Sequence, residues 1–240
     1  MILLFAAALV AAPPSTATVA TQVECESRQG LDAVLCLATF YAGAERHEEA
    51  AVQFEKAAQL LLATASTVGS PQADRALAAA GNMWIAAGQP GKAALALDKA
   101  LAGSGLQAEQ RGEALLDRAR AAEAQNDLKT ARARVSEAVQ TVSGDPFLWY
   151  FSAALAVREG DAALAKSAIN QALSLAPADP TILFEAGHVA HFAGDEPGAR
   201  DYWTRSLAAD PKGPSGRAAR EALAMLGAPL AVQTTPGATK

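Results

Sequence analysis

Small and large apolar residues recur along this chain in a fixed order, with polar residues between them. From Pro146 to Pro180 the order is large, small, glycine, small, large and small, at Trp149, Ala153, Gly160, Ala165, Ile169 and Ala172. The apolar positions on each side of the glycine lie three or four residues apart, which is the spacing of one face of an α-helix. No segment shows the clear alternation of a strand. The pattern predicts an all-α protein built from helix pairs.

The same order returns in four further segments. One copy lies 34 residues towards the C-terminus, and successive steps of 34, 38 and 43 residues towards the N-terminus reach the other three. Internal repetition at this period is the sequence sign of a helical solenoid, in which each unit buries its apolar face against its neighbours. The predicted units lie near 31–64, 74–107, 112–145, 146–179 and 180–213.

On these residues the chain resembles the tetratricopeptide repeat family. The family has a large residue followed by a small one in the first helix of each unit, and then a small, a large and a small residue in the second helix. The resemblance covers five units and implies a right-handed superhelical solenoid of helix-turn-helix units. The amphipathic segment 214–227 is predicted to be a helix that caps the last unit.

Glycine and aspartate mark the turns of the predicted units. Gly160 and Gly194 follow the predicted first helices, where a left-handed residue closes a helix. Asn126 stands at the same position of the third unit. Asp161 and Asp195 come next and suit the N-cap of the second helix.

The two ends of the chain differ from the repeats. Residues 1–20 contain an apolar run of 11 residues that is too short to span a membrane and is typical of a secretory signal peptide, although no Lys or Arg precedes it. An apolar leader on a cytoplasmic protein is the alternative. We predict an exported protein of the periplasm or cell envelope, with a lead segment at 21–30 and a disordered tail at 228–240.

Composition and motifs argue against several classes of function. The net charge is −5, with no concentrated basic face that would predict nucleic-acid binding. No phosphate loop, dinucleotide fingerprint or Cys-x-x-Cys motif is present, and the mature chain has no segment typical of an integral membrane protein. We therefore predict a protein that is not an enzyme and needs no cofactor.

The resemblance implies a groove lined by the first helix of each unit, which receives a peptide or a partner helix. Its groove positions include aromatic residues and histidines in the last two units and polar residues in earlier ones. The candidate partner-binding residues are Tyr150, Phe184, His188, His191, Phe147, Arg158, Arg120 and Asn82.

Two other functions stay open at this stage. The first is a structural subunit of an envelope assembly with no free ligand. The less favoured alternative is a metal-assisted enzyme that uses Glu185, His188 and His191, which lie three residues apart on one predicted helix and share a face that a metal could use. No further His or Cys lies nearby in the sequence to complete a ligand set, so we assign no metal.

Cys25 and Cys36 are the only cysteines, and an even count in an exported protein is compatible with a disulfide. On one unbroken helix 11 residues span about 16 Å, whereas paired Cα atoms lie within about 7 Å. A disulfide therefore requires the chain to reverse, and Gln29-Gly30 can supply the turn. Two buried free thiols are the alternative.

Overall fold

The computed structural model describes residues 21–65 and 70–227, and every regular element in these ranges is an α-helix. Most helices are 13 to 18 residues long and follow one another after short turns. Their bounds are α1 Gln22–Glu26, α2 Gly30–Gly43, α3 His47–Thr64, α4 Pro71–Ala86, α5 Pro90–Ala102, α6 Ala108–Ala124, α7 Leu128–Val142, α8 Pro146–Glu159, α9 Ala162–Leu175, α10 Pro180–Phe192, α11 Glu196–Ala209 and α12 Pro214–Gly227.

The helices form two compact units, one ending at Ser143 and the other beginning at Gly144. In the first, which we call unit 1, α1 precedes the pairs α2/α3, α4/α5 and α6/α7. In the second, unit 2, the pairs α8/α9 and α10/α11 are followed by α12. Within each unit consecutive helices pack on one another, and this is the arrangement of a helical solenoid.

Small residues bring the two helices of a pair into contact. A β-carbon at Gly187 of α10 would overlap the indole ring of Trp203 on α11, and one at Gly81 of α4 would overlap the side chain of Leu97 on α5. Both large side chains are buried. The fixed order of small and large residues in the sequence thus produces close helix packing.

The turn residues have the conformations that the sequence predicts. Gly160 and Gly194 are left-handed, with φ values of 78° and 79°. Asn126 is also left-handed, with a φ value of 63°. The Asp161 carboxylate accepts a hydrogen bond from the Leu164 amide at the N-terminus of α9. These contacts satisfy backbone groups at the helix ends and fix where each helix starts and stops.

Two first helices begin earlier than the repeat spacing predicts. The repeat spacing places the second and third predicted helix pairs near residues 74 and 112. In the structure, α4 starts at Pro71 and α6 at Ala108. The Ser70 hydroxyl accepts a hydrogen bond from the Ala73 amide, and Pro71 occupies the first turn. At α6, Gln107 forms a capping box with Gln110. These local caps extend each helix by about one turn.

The segment predicted as a lead folds back on the first pair. Gly30 has φ of 59°, and the chain reverses there between α1 and α2. Cys25 and Cys36 form a disulfide, with Cα atoms 5.3 Å apart. The Cys25 side chain is fully buried, so the short α1 is held on α2 by both the covalent bond and packing.

The last helix covers the end of unit 2. Ala219 and Ala222 of α12 are buried against Ala199 and Trp203 of α11, with Leu223 and Leu226 partly buried beside them. The predicted signal peptide at 1–20 and the predicted tail at 228–240 lie outside the described residues. Among the helices that the structure describes, none has the length and apolar character needed to cross a membrane.

Candidate functional site

The first helices of unit 2, α8 and α10, carry most of the aromatic residues that the sequence places in a groove. On α8 the rings of Phe147 and Tyr150 meet edge to face with centroids 6.4 Å apart. On α10 the Phe184 ring and the His188 imidazole lie 4.4 Å apart. The sequence-predicted residues of each helix are therefore neighbours on one helix surface.

These aromatic residues differ in how much surface they offer. Tyr150 packs against the core of α8, α9 and α10, and Phe184 packs against the core of α11 and α12. Both side chains are half-buried, whereas Phe192 at the end of α10 is 39% exposed. Arg158 is exposed on the last turn of α8. Phe192 is therefore the most accessible of these three aromatic rings.

Trp203 organises the end of α10 although it belongs to α11. Its indole lies 5.7 Å from the His188 ring in an edge-to-face contact and 5.9 Å from the His191 ring. Its Nε1 donates a hydrogen bond of 3.0 Å to the Phe184 carbonyl. The buried Ser206 hydroxyl donates at 2.7 Å to the Pro180 carbonyl one turn away. The first bond fixes the Trp203 indole, and the second joins α11 to the start of α10, so Trp203 is a rigid support for both imidazoles.

A cleft of about 240 Å³ opens between α10, α11 and α12. One side carries the two imidazoles, and the rest is apolar. Met225 at the cleft is 72% exposed. The lining residues are His188, His191, Trp203, Ala222, Met225 and Leu226.

Each imidazole faces its own carboxylate. His188 Nδ1 lies 3.6 Å from Glu185 Oε2, and His191 Nδ1 lies 2.7 Å from Glu196 Oε1. The metal alternative joins Glu185 with both histidines, but His191 instead turns to a residue of the next helix. Within residues 21–65 and 70–227 no three His, Cys, Asp or Glu side chains come together as metal ligands.

The groove candidates of unit 1, Asn82 and Arg120, are joined by Asp117, a residue that the repeat pattern does not indicate. Asp117 accepts a hydrogen bond of 2.7 Å from the Asn82 amide and one of 3.1 Å from the Arg120 guanidinium. Its side chain is 15% exposed. Burial raises the pKa of Asp117, although Arg120 and Asn82 act in the opposite direction. Asn82 and Arg120 are thus donors to a carboxylate of the chain itself.

The repeat pattern does not indicate the roles of Asp117 and Met225, and the reason is the same for both. Asp117 is 35 residues from Asn82, and Met225 lies in the helix after the last repeat. The repeat pattern specifies positions inside one helix pair and says nothing about polar partners between pairs. An alignment of the polar residues of adjacent helix pairs would have suggested the contact between Asn82 and Asp117.

Comparisons with known proteins support one fold. No family model and no curated protein matches the chain. Among solved structures it is similar to YrrB, a TPR protein with an unusual peptide-binding site, at 16% identity and a TM-score of 0.57 over 85% of this chain and 98% of YrrB. It is also similar to PilW, a type IV pilus biogenesis factor, at 16% identity and a TM-score of 0.64 over 78% of this chain and 81% of PilW.

A third similar structure is a kinesin light chain protein from Podospora anserina with nearly identical TPR-like repeats. The identity is 18% and the TM-score 0.62, over 76% of this chain and 95% of the other. Identities this low show the fold and no finer property. The predicted all-α tetratricopeptide-repeat solenoid is confirmed.

Proposed function

We propose that this chain is a non-catalytic scaffold that binds a peptide or a partner helix on the first-helix surface of unit 2. The observation that carries the proposal is the cleft beside α12, where Met225 is 72% exposed next to His188 and His191. Phe192, adjacent to His191, adds an exposed aromatic ring. Exposed aromatic and methionine side chains are enriched where proteins bind one another.

The nature of the cleft supports a segment of protein as the occupant. Its volume of about 240 Å³ lies below the range of small-molecule sites, and its walls are mainly apolar with two imidazoles at one side. An apolar side chain of a partner fits such a site, with the rigid Trp203 indole beneath it. YrrB, a similar structure, is described as having a peptide-binding site, and this favours the same type of ligand here.

The proposed place of action is the periplasm or cell envelope. The apolar N-terminal run supports it, and so does the disulfide between Cys25 and Cys36, because disulfides persist in oxidising compartments. The similarity to PilW, a type IV pilus biogenesis factor, is compatible with this location. Stable, stoichiometric copurification with one envelope assembly would favour a structural subunit over transient binding.

The test compares two pairs of exposed apolar residues in unit 2. Met225→Ala removes the exposed side chain at the cleft, and Phe192→Ala removes the exposed ring next to His191 in the chain. The control pair, Leu164→Ala with Leu175→Ala, changes the second helix α9, where these leucines are 37% and 45% exposed. Tyr150 and Phe184 are unsuitable because both pack against cores. Partners captured from an envelope extract are quantified by mass spectrometry, and helicity by circular dichroism.

We expect the cleft pair to lose at least one partner that the α9 pair retains, with helicity unchanged in both. Alanine replacement of an interface anchor typically weakens binding by about 2 kcal/mol or more. Equal capture by both variants, or loss only in the α9 pair, would place the interaction elsewhere.

A further inference from the structure

A second cleft lies in unit 1, on the second helices of the pairs and not on the first helices. It opens between α3 and α5, the second helices of two consecutive pairs, and has a volume of about 430 Å³. The repeat resemblance assigns no binding role to these helices. The residues that line it are Glu48, Val52, Glu55, Trp84, Lys92, Leu95, Ala96 and Lys99.

The charges of this cleft are sorted by helix. Glu48 and Glu55 of α3 are seven residues apart, and Lys92 and Lys99 of α5 have the same separation. Glu48 Oε1 lies 3.6 Å from Lys92 Nζ, so the two helices are level at these residues. Because α3 and α5 both pack against α4 through short connections, they run in the same direction. One edge of the cleft is therefore acidic and the other basic.

Apolar side chains occupy the space between the two charged edges. Leu95 is 66% exposed and Val52 is 46% exposed, whereas Trp84 beneath them is buried. Trp84 is held by a 3.0 Å hydrogen bond from its Nε1 to Glu55, and the Lys92 ammonium lies 4.2 Å above its ring. The floor is thus fixed while the leucine and valine remain accessible. Such a face resembles the apolar seam and flanking charges of packed helices.

We propose that this face of unit 1 pairs with the same face of a second copy of the chain. A two-fold axis parallel to α3 and α5 places α3 of each copy over α5 of the other. Glu48 then meets Lys92 of the second copy, and Glu55 meets Lys99 of the second copy. Leu95 and Val52 are buried between them. A two-fold axis perpendicular to the helices would instead place like charges together, so the charge pattern selects the parallel arrangement.

A second copy of the chain carries the charges that complement this face. An interface with two-fold symmetry uses the same patch on both partners, so that patch must contain both halves of every complementary pair. This face does, because its acidic and basic edges are equally spaced. Glu48 and Lys92 keep 57% and 50% of their side-chain surface exposed and can therefore contact a second copy as well as each other.

The face is small for a specific protein–protein interface. α3 and α5 have 18 and 13 residues and are about 27 and 20 Å long. A contact made by two such helices per copy lies at the lower end of specific interfaces, near about 1,200 Å² in total. We therefore expect a reversible dimer that depends on protein concentration and is weakened by salt.

Analytical ultracentrifugation of the mature full chain from micromolar to millimolar concentration tests the proposal. Lys92→Glu with Lys99→Glu makes both edges acidic, and Glu48→Lys with Glu55→Lys makes both basic. Each double variant alone should dimerise more weakly, with a dissociation constant raised on the order of a hundredfold, because like charges meet. An equimolar mixture of the two should form a heterodimer, because every contact again joins opposite charges.

Two further variants keep the test decisive if a charge reversal disturbs folding. Leu95→Gln removes an exposed apolar residue of the cleft, and Val23→Gln removes one that is 74% exposed on α1, outside the cleft. We expect Leu95→Gln to weaken the dimer and Val23→Gln to leave it unchanged. A chain that is monomeric throughout the concentration range overturns the proposal. So does a dimer that survives Leu95→Gln, or a mixture of folded charge variants that does not associate.

Discussion

At Gly187 a single hydrogen atom allows α10 and α11 to touch, because a β-carbon there would overlap the Trp203 indole. The indole cannot easily yield, since it is buried and its Nε1 donates to the Phe184 carbonyl. We predict that Gly187→Ala lowers the free energy of unfolding by about 1–3 kcal/mol, the usual cost of overpacking. Urea denaturation monitored by circular dichroism measures the change.

Gly91 provides the matched control. It lies in the first turn of α5, and a β-carbon there meets no atom within 4 Å. Gly91→Ala should leave stability unchanged or raise it by up to about 1 kcal/mol, because alanine is the better helix former. If the two variants were equally stable, the close packing of α10 on α11 would be wrong.

The raised pKa of Asp117 predicts that the stability of the folded chain depends on pH. Burial raises its pKa in the folded chain above the ordinary value of about 3.9. A raised pKa means that the protonated form is the one favoured by folding. The contribution of Asp117 to stability is therefore greatest below its ordinary pKa and is lost as the pH rises through the folded value.

Asp117→Asn removes this titration. We predict that the stability of the wild type, relative to the variant, falls between strongly acidic and neutral pH. Urea denaturation at a series of pH values measures both proteins. The comparison between them is needed because the pKa values of Glu24, Glu49 and Asp127 are lowered, mainly by hydrogen bonds, and act in the opposite sense in both proteins. A difference between the proteins that rises with pH would contradict the raised pKa.

At the scale of helices, the sequence predicts the pairs well and their first turns less well. Small and large residues such as Gly187 and Trp203 define the contact inside a pair, so their spacing reveals the two helices of each unit. The starts of α4 and α6 depend on Ser70 and Gln107, which cap helices through local hydrogen bonds. Those caps lie before the repeat begins, and the repeat pattern carries no information about them.

The disulfide between Cys25 and Cys36 should stabilise the short helix α1 locally. The helix has five residues, and Cys25 is its buried residue. Helices this short are not stable alone. We predict that Cys25→Ala with Cys36→Ala lowers the free energy of unfolding by about 3 kcal/mol on the chain-entropy estimate for an 11-residue separation. Amide hydrogen exchange should show lost protection in α1 and retained protection in α4 and beyond.

The wild-type chain with its disulfide reduced is the control, because it keeps both sulfur atoms. It should exchange like the double variant in α1. If α1 stays protected in both, its capping box between Thr21 and Glu24 and its packing suffice without the covalent bond.

At the scale of the whole chain, fold and function differ in how far the sequence predicts them. The fold rests on packing residues that repeat five times, and a repeated signal is easy to recognise. The candidate binding residues occur once each. Their surroundings depend on Trp203, Asp117 and Met225, which belong to other helices. The structure places the rings of Tyr150 and Phe184 partly against cores, which their positions in the repeat do not reveal.

The apolar N-terminal run predicts that the whole chain is exported from the cytoplasm. Small residues follow the apolar N-terminal run, and cleavage after Ala20 or Ala17 fits a signal peptidase site. Cleavage after Ala20 would make Thr21 the first residue. Its backbone nitrogen already lies 2.6 Å from Glu24 Oε2, so the new ammonium group would pair with that carboxylate and keep α1 capped.

We expect the full-length chain, expressed in a bacterium with two membranes, to be recovered from the periplasm as a mature form beginning at Thr21 or Thr18. Cys25 and Cys36 should resist alkylation in denaturant until a reductant is added. A chain started at Thr21 and kept in the reducing cytoplasm should be alkylated at both cysteines. Intact mass and alkylation by mass spectrometry measure the outcome. An unprocessed chain in the cytoplasm would contradict export, whereas a processed periplasmic chain with two reactive thiols would contradict only the disulfide.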